Sequence, residues 1–160
     1  MIRFYYNTAP NPMKVALFLE ESGLPYEKVP VDTRKGEQHA PEFRAINPNG
    51  KVPAIVDLDG FGGKPVTVFD SNAILLYLGD KTGRFVGTPA DRGELLSWLM
   101  FVASGIGPFT GQCVHFKHYA PEPNPYALNR YDFEAWRHWK ILDTHLADRS
   151  WMVSGQYTLL

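Results

Sequence analysis

The 160-residue chain has one cysteine, Cys113. No internal disulfide can form, which excludes the disulfide-stapled secreted scaffolds and fits a reducing cytosol. Any thiol redox chemistry must therefore use Cys113 or a sulfur supplied by a ligand. An excess of one charge is also missing. The formal net charge of −1 argues against generic affinity for nucleic acid or anionic membrane. No apolar run approaches the roughly 18 residues of a membrane helix. Met1-Ile2-Arg3-Phe4-Tyr5-Tyr6 lacks the layout of a secretory signal. There is no Gly-rich phosphate loop, no Cys-x-x-Cys, no internal repeat and no low-complexity tract. Cys113, His115 and His118 match no zinc spacing and lack a fourth ligand, so no metal is expected and Cys113 reads as a buried, inert thiol. What remains is a soluble globular protein, 44% apolar, long enough for one large domain or two small ones.

The first half alternates strand and helix patterns. Ile2 to Asn7 reads as a strand. Asn11 then offers an N-cap and Pro12 a first helical position for a helix over Met13–Ser22, closed by Gly23. Tyr26 to Asp32 reads as a second strand, giving a βαβ unit with a parallel pair. Gly36 to Ala45 is polar and irregular. Val52 to Leu58 and Val66 to Phe69 predict an antiparallel hairpin around Asp59-Gly60-Phe61-Gly62-Gly63, followed by a helix over Ser71–Lys81. No strong strand pattern follows Gly83. A linker over 84–90 leads to a helix over Asp91–Ser104, which Gly105-Ile106-Gly107-Pro108 interrupts. After Ala120-Pro121-Glu122-Pro123-Asn124-Pro125 a long helix runs to about Ala147, with Leu128, Tyr131, Ala135, His138, Leu142 and Leu146 on one face.

Two polar stretches lie one hairpin apart. Pro53 comes just as apolar alternation begins, where proline cannot serve a central strand, so it marks an edge or a site. Asp70-Ser71 places a carboxylate and a hydroxyl at the start of a helix, where unpaired N–H groups are exposed. The pair reads either as a mere cap or, with Val52-Pro53, as two ends of one small-ligand site.

These residues resemble the glutathione transferase family over all 160 positions. The most specific parts are Thr8-Ala9-Pro10-Asn11, Gly36-Glu37-Gln38 with Pro41-Glu42-Phe43, Asn47 to Ala54, Phe69-Asp70-Ser71, and Gly107-Pro108-Phe109-Thr110-Gly111-Gln112 with His115-Phe116. The last motif narrows the resemblance to the bacterial Nu-class type and its fungal nitrogen-regulator relatives. The resemblance implies an α/β plus all-α protein. A thioredoxin-like domain over 1–83, with a mixed four-stranded sheet, would precede an all-helical domain over 91–160. It also implies that family members continue past Thr158, so that the helical domain here is incomplete.

For the site, the resemblance implies a cis Pro53, with Val52 offering its backbone N–H and C=O to the cysteinyl part of glutathione. Asp70 would take the γ-glutamyl ammonium and Ser71 the neighbouring carboxylate, while Gln38 and Lys51 reach the glycyl end. Arg130 matches the arginine that reaches a second glutathione from the partner subunit. On its residues alone, Arg130 among Asp132 and Glu134 reads as a solvated charge.

The sulfur end falls to the loop Thr8–Pro12. Lowering a thiol pKa from about 8.5 toward 6.5 takes roughly 3 kcal/mol of preferential thiolate stabilisation. Asn11 offers a side-chain amide and Thr8 a hydroxyl, with backbone N–H groups at Ala9 and Asn11. Nu-class enzymes commonly carry threonine where this chain has Ala9. Asn11 is the expected main sulfur-directed group and Thr8 the secondary one, although Asn11 could simply cap the helix. Tyr5 and Tyr6 read as core. The resemblance implies a cytoplasmic, homodimeric enzyme using glutathione as co-substrate for disulfide and organic peroxide reduction and electrophile conjugation. A weakly catalytic glutathione-binding regulator is the alternative.

Overall fold

The run Ile2–Tyr6 forms strand β1, and its alternation decides the layers of the N-terminal half. In the structure, a computed structural model describing residues 1–160, β1 is followed by helix α1 (Pro10–Ser22), β2 (Tyr26–Pro30) and, after a 3-10 turn at Glu37–His39, helix α2 (Pro41–Ile46). The hairpin of β3 (Ala54–Asp57) and β4 (Val66–Phe69) leads into α3 (Ser71–Thr82). The sheet order is β2-β1-β3-β4, with β1 parallel to β2 and antiparallel to β3, and β3 antiparallel to β4. It is the mixed βαβ–ββα sheet that the strand pattern implies.

Side chains alternate across a strand. Ile2 and Phe4, with Ile55 and Asp57 paired opposite them on β3, share one face. They are buried together with Val15, Phe18 and Leu19 of α1 and Ile74, Leu75 and Leu78 of α3. Tyr5 points to the other face, where it joins Val31, Phe43, Ile46, Val52 and Ala54. Tyr5 lies 5.9 Å from the Phe43 ring and Tyr6 stacks on Phe4 at 5.2 Å, so both tyrosines are packing residues. Asp57 is fully buried among apolar neighbours, yet Tyr77 donates to it at 2.7 Å, the Asp59 N–H at 3.0 Å, and the Lys81 ammonium pairs with it at 2.8 Å. Gly60 turns the hairpin: a Cβ there would lie 2.6 Å from the Lys64 carbonyl oxygen and 2.7 Å from Val66.

One boundary departs from the sequence reading in a way that matters below. α1 begins at Pro10, with Ala9 as N-cap, and no side chain caps it. Asn11 is therefore inside the first turn and is not the cap. Two prolines explain the early start, because Pro10 and Pro12 have no N–H to leave unsatisfied in a first turn and their φ is already helical.

The backbone gathers into two units, Met1–Arg84 and Phe85–Thr158. In the second, α4 (Arg92–Phe101) runs through a π-helical turn at Val102–Ile106 straight into α5 (Gly107–His118), and α6 spans Pro125–Leu146. The expected interruption at Gly105–Pro108 is thus a widened turn and not a break. Pro108 has no N–H for a normal helical bond and would crowd the carbonyl four residues back. An i→i+5 turn, in which the Gly107 N–H bonds the Val102 carbonyl, relieves that crowding. Gly105 is needed because a Cβ there would sit 2.4 Å from the His138 ring. His138, buried on α6, lies 5.0 Å from both Phe101 and Phe109. Its Nδ1–H donates to the Glu134 carbonyl at 2.6 Å and its Nε2 accepts from Arg137 at 3.1 Å.

Candidate functional site

Three chain segments of the first unit carry the residues singled out above: the turn into α1, the 47–53 loop before β3, and the first turn of α3. At the turn into α1, Asn7 does work that its sequence position did not advertise. Its Oδ1 accepts the Ala9 N–H at 3.0 Å and its Nδ2 donates to Thr33 Oγ1 at 3.1 Å. The Ala9 N–H is therefore committed, contrary to the expectation that it stands free. Pro10 and Pro12 have no N–H, and Met13 donates to the Ala9 carbonyl. That leaves Asn11 as the residue presenting a first-turn N–H outward, and its side-chain amide is exposed beside it. Thr8 is exposed and its hydroxyl makes no hydrogen bond within the chain.

The 47–53 loop is held by Asn47, which is 2% exposed. Its Nδ2 donates to the Lys51 carbonyl at 2.6 Å, its Oδ1 accepts the Asn49 N–H at 3.0 Å, and its own carbonyl accepts the Gly50 N–H at 2.9 Å. This pinning delivers the chain to a cis Val52–Pro53 bond. The strand ladder opens only at Ala54, so the N–H and C=O of Val52 remain unpaired and free to pair with an extended ligand, as an added strand would. Asn47→Ala removes two polar contacts from a buried position and is expected to cost about 1–3 kcal/mol. Urea unfolding measures that loss, and affinity for a ligand paired to Val52 should fall with it.

At α3 the cap reading and the site reading hold together. Asp70 Oδ1 accepts the N–H groups of Asn72 at 2.9 Å and Ala73 at 3.2 Å. Asp70 itself adopts φ 72, ψ 128, a conformation that costs a non-glycine residue on the order of 1–3 kcal/mol. The Ser71 N–H, first in the helix, has no intrahelical acceptor, and the Ser71 hydroxyl, on a residue only 4% exposed, carries no hydrogen bond within the chain. The positive end of the helix therefore presents two unfilled donors beside a carboxylate. Lys14, which no motif pointed to, approaches the same turn, with its Nζ 3.5 Å from Asn72 Oδ1. Burial pulls its pKa below that of an ordinary lysine, and the Asp70 carboxylate pushes it back up.

Of the remaining candidates, Lys51 is exposed, and Gln38 sits in the 3-10 turn with its Oε1 buried and unpaired and its Nε2 3.1 Å from His39 Nε2. In the second unit Arg130 is exposed to solvent, as read from its residues, but it is also ion-paired. Its guanidinium meets Glu134 at 2.7 Å, and Arg137 holds the other Glu134 oxygen at 2.9 Å. The Arg137 hydrogen bond leads the interactions that outweigh burial and hold the Glu134 carboxyl below the usual range. Cys113 is half-buried, not buried, in a groove of about 1090 Å³ that Lys117, Asp132, Phe133, Trp136 and Trp139 also line. Its thiol lies 3.6 Å from Asp132 Oδ1, and burial together with that carboxylate pushes the thiol pKa up. Both effects disfavour the thiolate, as an inert cysteine requires. No three His, Cys, Asp or Glu side chains are gathered to hold a metal.

The same fold recurs in known proteins. The model of the glutathione S-transferase N-terminal domain matches residues 8–81. A structure of a glutathione transferase from Pseudomonas putida, with one glutathione disulfide bound per subunit, superposes with a TM-score of 0.95 at 40% identity, over 99% of this chain and 70% of that one. A family member from Pseudomonas fluorescens with two glutathione bound gives 0.94 at 42%, over 99% and 71%. The disulfide-bond oxidoreductase YfcG of Escherichia coli (strain K12) is 44% identical over 161 aligned residues, covering 99% of this chain and 75% of that protein. The four-stranded sheet is accordingly of thioredoxin-like type, and identity of that extent establishes that the chain belongs to the glutathione transferase family.

Proposed function

We propose that this protein binds glutathione in its N-terminal unit and uses the bound thiolate to reduce disulfides. The observation that carries the reading is the pairing of two unfilled backbone-rich sites one hairpin apart: the free N–H and C=O of Val52 beside cis Pro53, and the open first turn of α3 at Asp70-Ser71. Val52 takes the cysteinyl backbone of glutathione. Asp70 takes the γ-glutamyl ammonium, and Ser71 the neighbouring carboxylate. Gln38 and Lys51 face the glycyl end, and Asn11, with Thr8, faces the sulfur. The similarity to a disulfide-bond oxidoreductase and to a structure holding glutathione disulfide supports the choice of reaction.

The chemistry balances without a protein dithiol. The bound thiolate attacks one sulfur of the substrate disulfide, whose S–S bond breaks and whose leaving thiolate takes up a proton. A second glutathione thiolate then attacks the mixed disulfide, releasing the second substrate thiol and glutathione disulfide. Asn11 and the N-terminus of α1 stabilise the attacking anion. In a Nu-class arrangement the protein is a cytoplasmic homodimer, a second copy supplies Arg130 for the second glutathione, and peroxide reduction and electrophile conjugation accompany disulfide reduction. Purified protein with glutathione should reduce hydroxyethyl disulfide well above the rate of glutathione in buffer, and faster than it turns over a chloronitrobenzene. A disulfide rate equal to the buffer rate would remove the reading.

A second reading has one observation in its favour. The Ala9 N–H is spent on Asn7 and Ala9 has no hydroxyl, so the sulfur end is thinner than the sequence promised. A glutathione-binding protein with little catalysis would bind glutathione and leave both substrates near background.

A further inference from the structure

We propose that Lys14 is a specificity-determining residue of this site, taking the α-carboxylate of the ligand's γ-glutamyl head while Asp70 takes its ammonium. The inference rests on the glutathione reading and assigns a side chain which that reading leaves unused. Lys14 lies three residues after Asn11 on the same face of α1 and extends to the first turn of α3. Its one polar partner is Asn72 Oδ1 at 3.5 Å, the outer edge of a hydrogen bond, although an ammonium carries three donors.

A half-buried ammonium so thinly satisfied is costly, and an anion placed against it recovers that cost. Burial pulls the lysine pKa down for the same reason. The rest of the turn is unbalanced in the complementary sense. Asp70 Oδ1 is committed to two backbone N–H groups, leaving its second oxygen as acceptor. The Ser71 N–H and hydroxyl are unfilled donors, and Lys14 adds two more. Several donors and one anionic acceptor suit a head group that brings both a carboxylate and an ammonium. A ligand with the ammonium alone meets the charge of Lys14, and a ligand with the carboxylate alone meets that of Asp70. Only the zwitterion satisfies both.

Calorimetric titration tests this with glutathione and with 4-aminobutyryl-cysteinyl-glycine, which lacks the α-carboxylate. Lys14→Met keeps the apolar stem and removes the charge. It should weaken glutathione binding about tenfold or more, the value of a lost charge-assisted hydrogen bond. Binding of the decarboxylated tripeptide should not weaken, and should tighten if anything, because its partner group is already gone and the like charge facing its ammonium is removed. Lys14→Arg should restore most of the glutathione affinity. If Lys14→Met melts early, Lys14→Gln carries the same comparison. Equal weakening toward both ligands would make Lys14 a merely structural neighbour and overturn the assignment. Failure of the unaltered protein to bind either tripeptide would instead remove the glutathione reading on which it rests.

Discussion

Asn11→Ala is expected to lower kcat/KM for disulfide reduction by about 10- to 100-fold. The side-chain amide of Asn11 is the exposed donor at the open end of α1, and a hydrogen bond to an anion is worth about 1.5–3 kcal/mol. Each pKa unit corresponds to about 1.4 kcal/mol, so the bound thiol should titrate about one to two units higher in the variant. The ultraviolet absorbance of the thiolate follows that shift directly. The loss is partial because the backbone N–H of residue 11 survives the substitution. Stability separates this role from a capping one. Asn11 lies one position inside the helix and caps nothing, so the melting transition should barely move, within the range of ordinary surface substitutions. An unchanged thiol titration with a lowered melting temperature would show Asn11 to be structural. Thr8→Ala should produce a smaller effect in the same direction.

Asp57→Ala should cost about 3–5 kcal/mol of folding free energy, the usual result of removing one partner from a buried charged cluster. The carboxylate is wholly enclosed and accepts from Tyr77, the Asp59 N–H and Lys81. Removing it leaves the Tyr77 hydroxyl and the Lys81 ammonium without their acceptor under the sheet, although Lys81 keeps the Asp59 carbonyl. The urea midpoint should fall by roughly 1–2 M. The same group sets an acid limb. Burial alone would raise the Asp57 pKa, but the hydrogen bonds from Lys81, Tyr77 and the Asp59 N–H outweigh it and hold the pKa below the ordinary carboxylate value. A group whose folded pKa is depressed contributes its full stability above the unfolded value, about 3.9, and loses it as the pH falls through the folded one. Unfolding measured between pH 6 and pH 2 should therefore show a steeper acid loss in the unaltered protein than in Asp57→Ala.

Legibility in the sequence followed the range of the forces involved. β1, α1, the hairpin and α3 were all readable because alternation, helical spacing and caps act between near neighbours. Gly23 and Gly83 end their helices in the left-handed conformation, as glycine after a helical pattern predicts. Misplacements occurred where two local signals competed. Asn11 was the candidate for the start of α1, and two prolines, which need no N–H partner, moved the boundary ahead of that capping side chain to Ala9. Gly105 to Pro108 carried every mark of a break, and a single i→i+5 turn carried the helix through it. Pro108 marks the strained position locally, but only the packing of His138 against Gly105 shows why the helix continues there with a glycine instead of ending.

The candidate site shows the same division. Pro53 as an edge or site residue and the acid–hydroxyl pair at the head of α3 could be named from residues alone, since proline chemistry and helix-end polarity are properties of a few adjacent positions. The cis state of Pro53 came from the family resemblance. Asn7, Lys14 and Asn47 could not. Each is an ordinary polar residue whose role depends on a partner or backbone geometry that only folding supplies: Thr33 for Asn7, Asn72 and Asp70 for Lys14, and the tight 47–51 loop for Asn47. The sequence by itself determined the family, the sheet and the two ends of the proposed ligand site. Tertiary structure alone decided which donors remain free within them. A hydrogen-bonding group's availability is fixed by what else reaches it, and at Ala9 and Arg130 something else does.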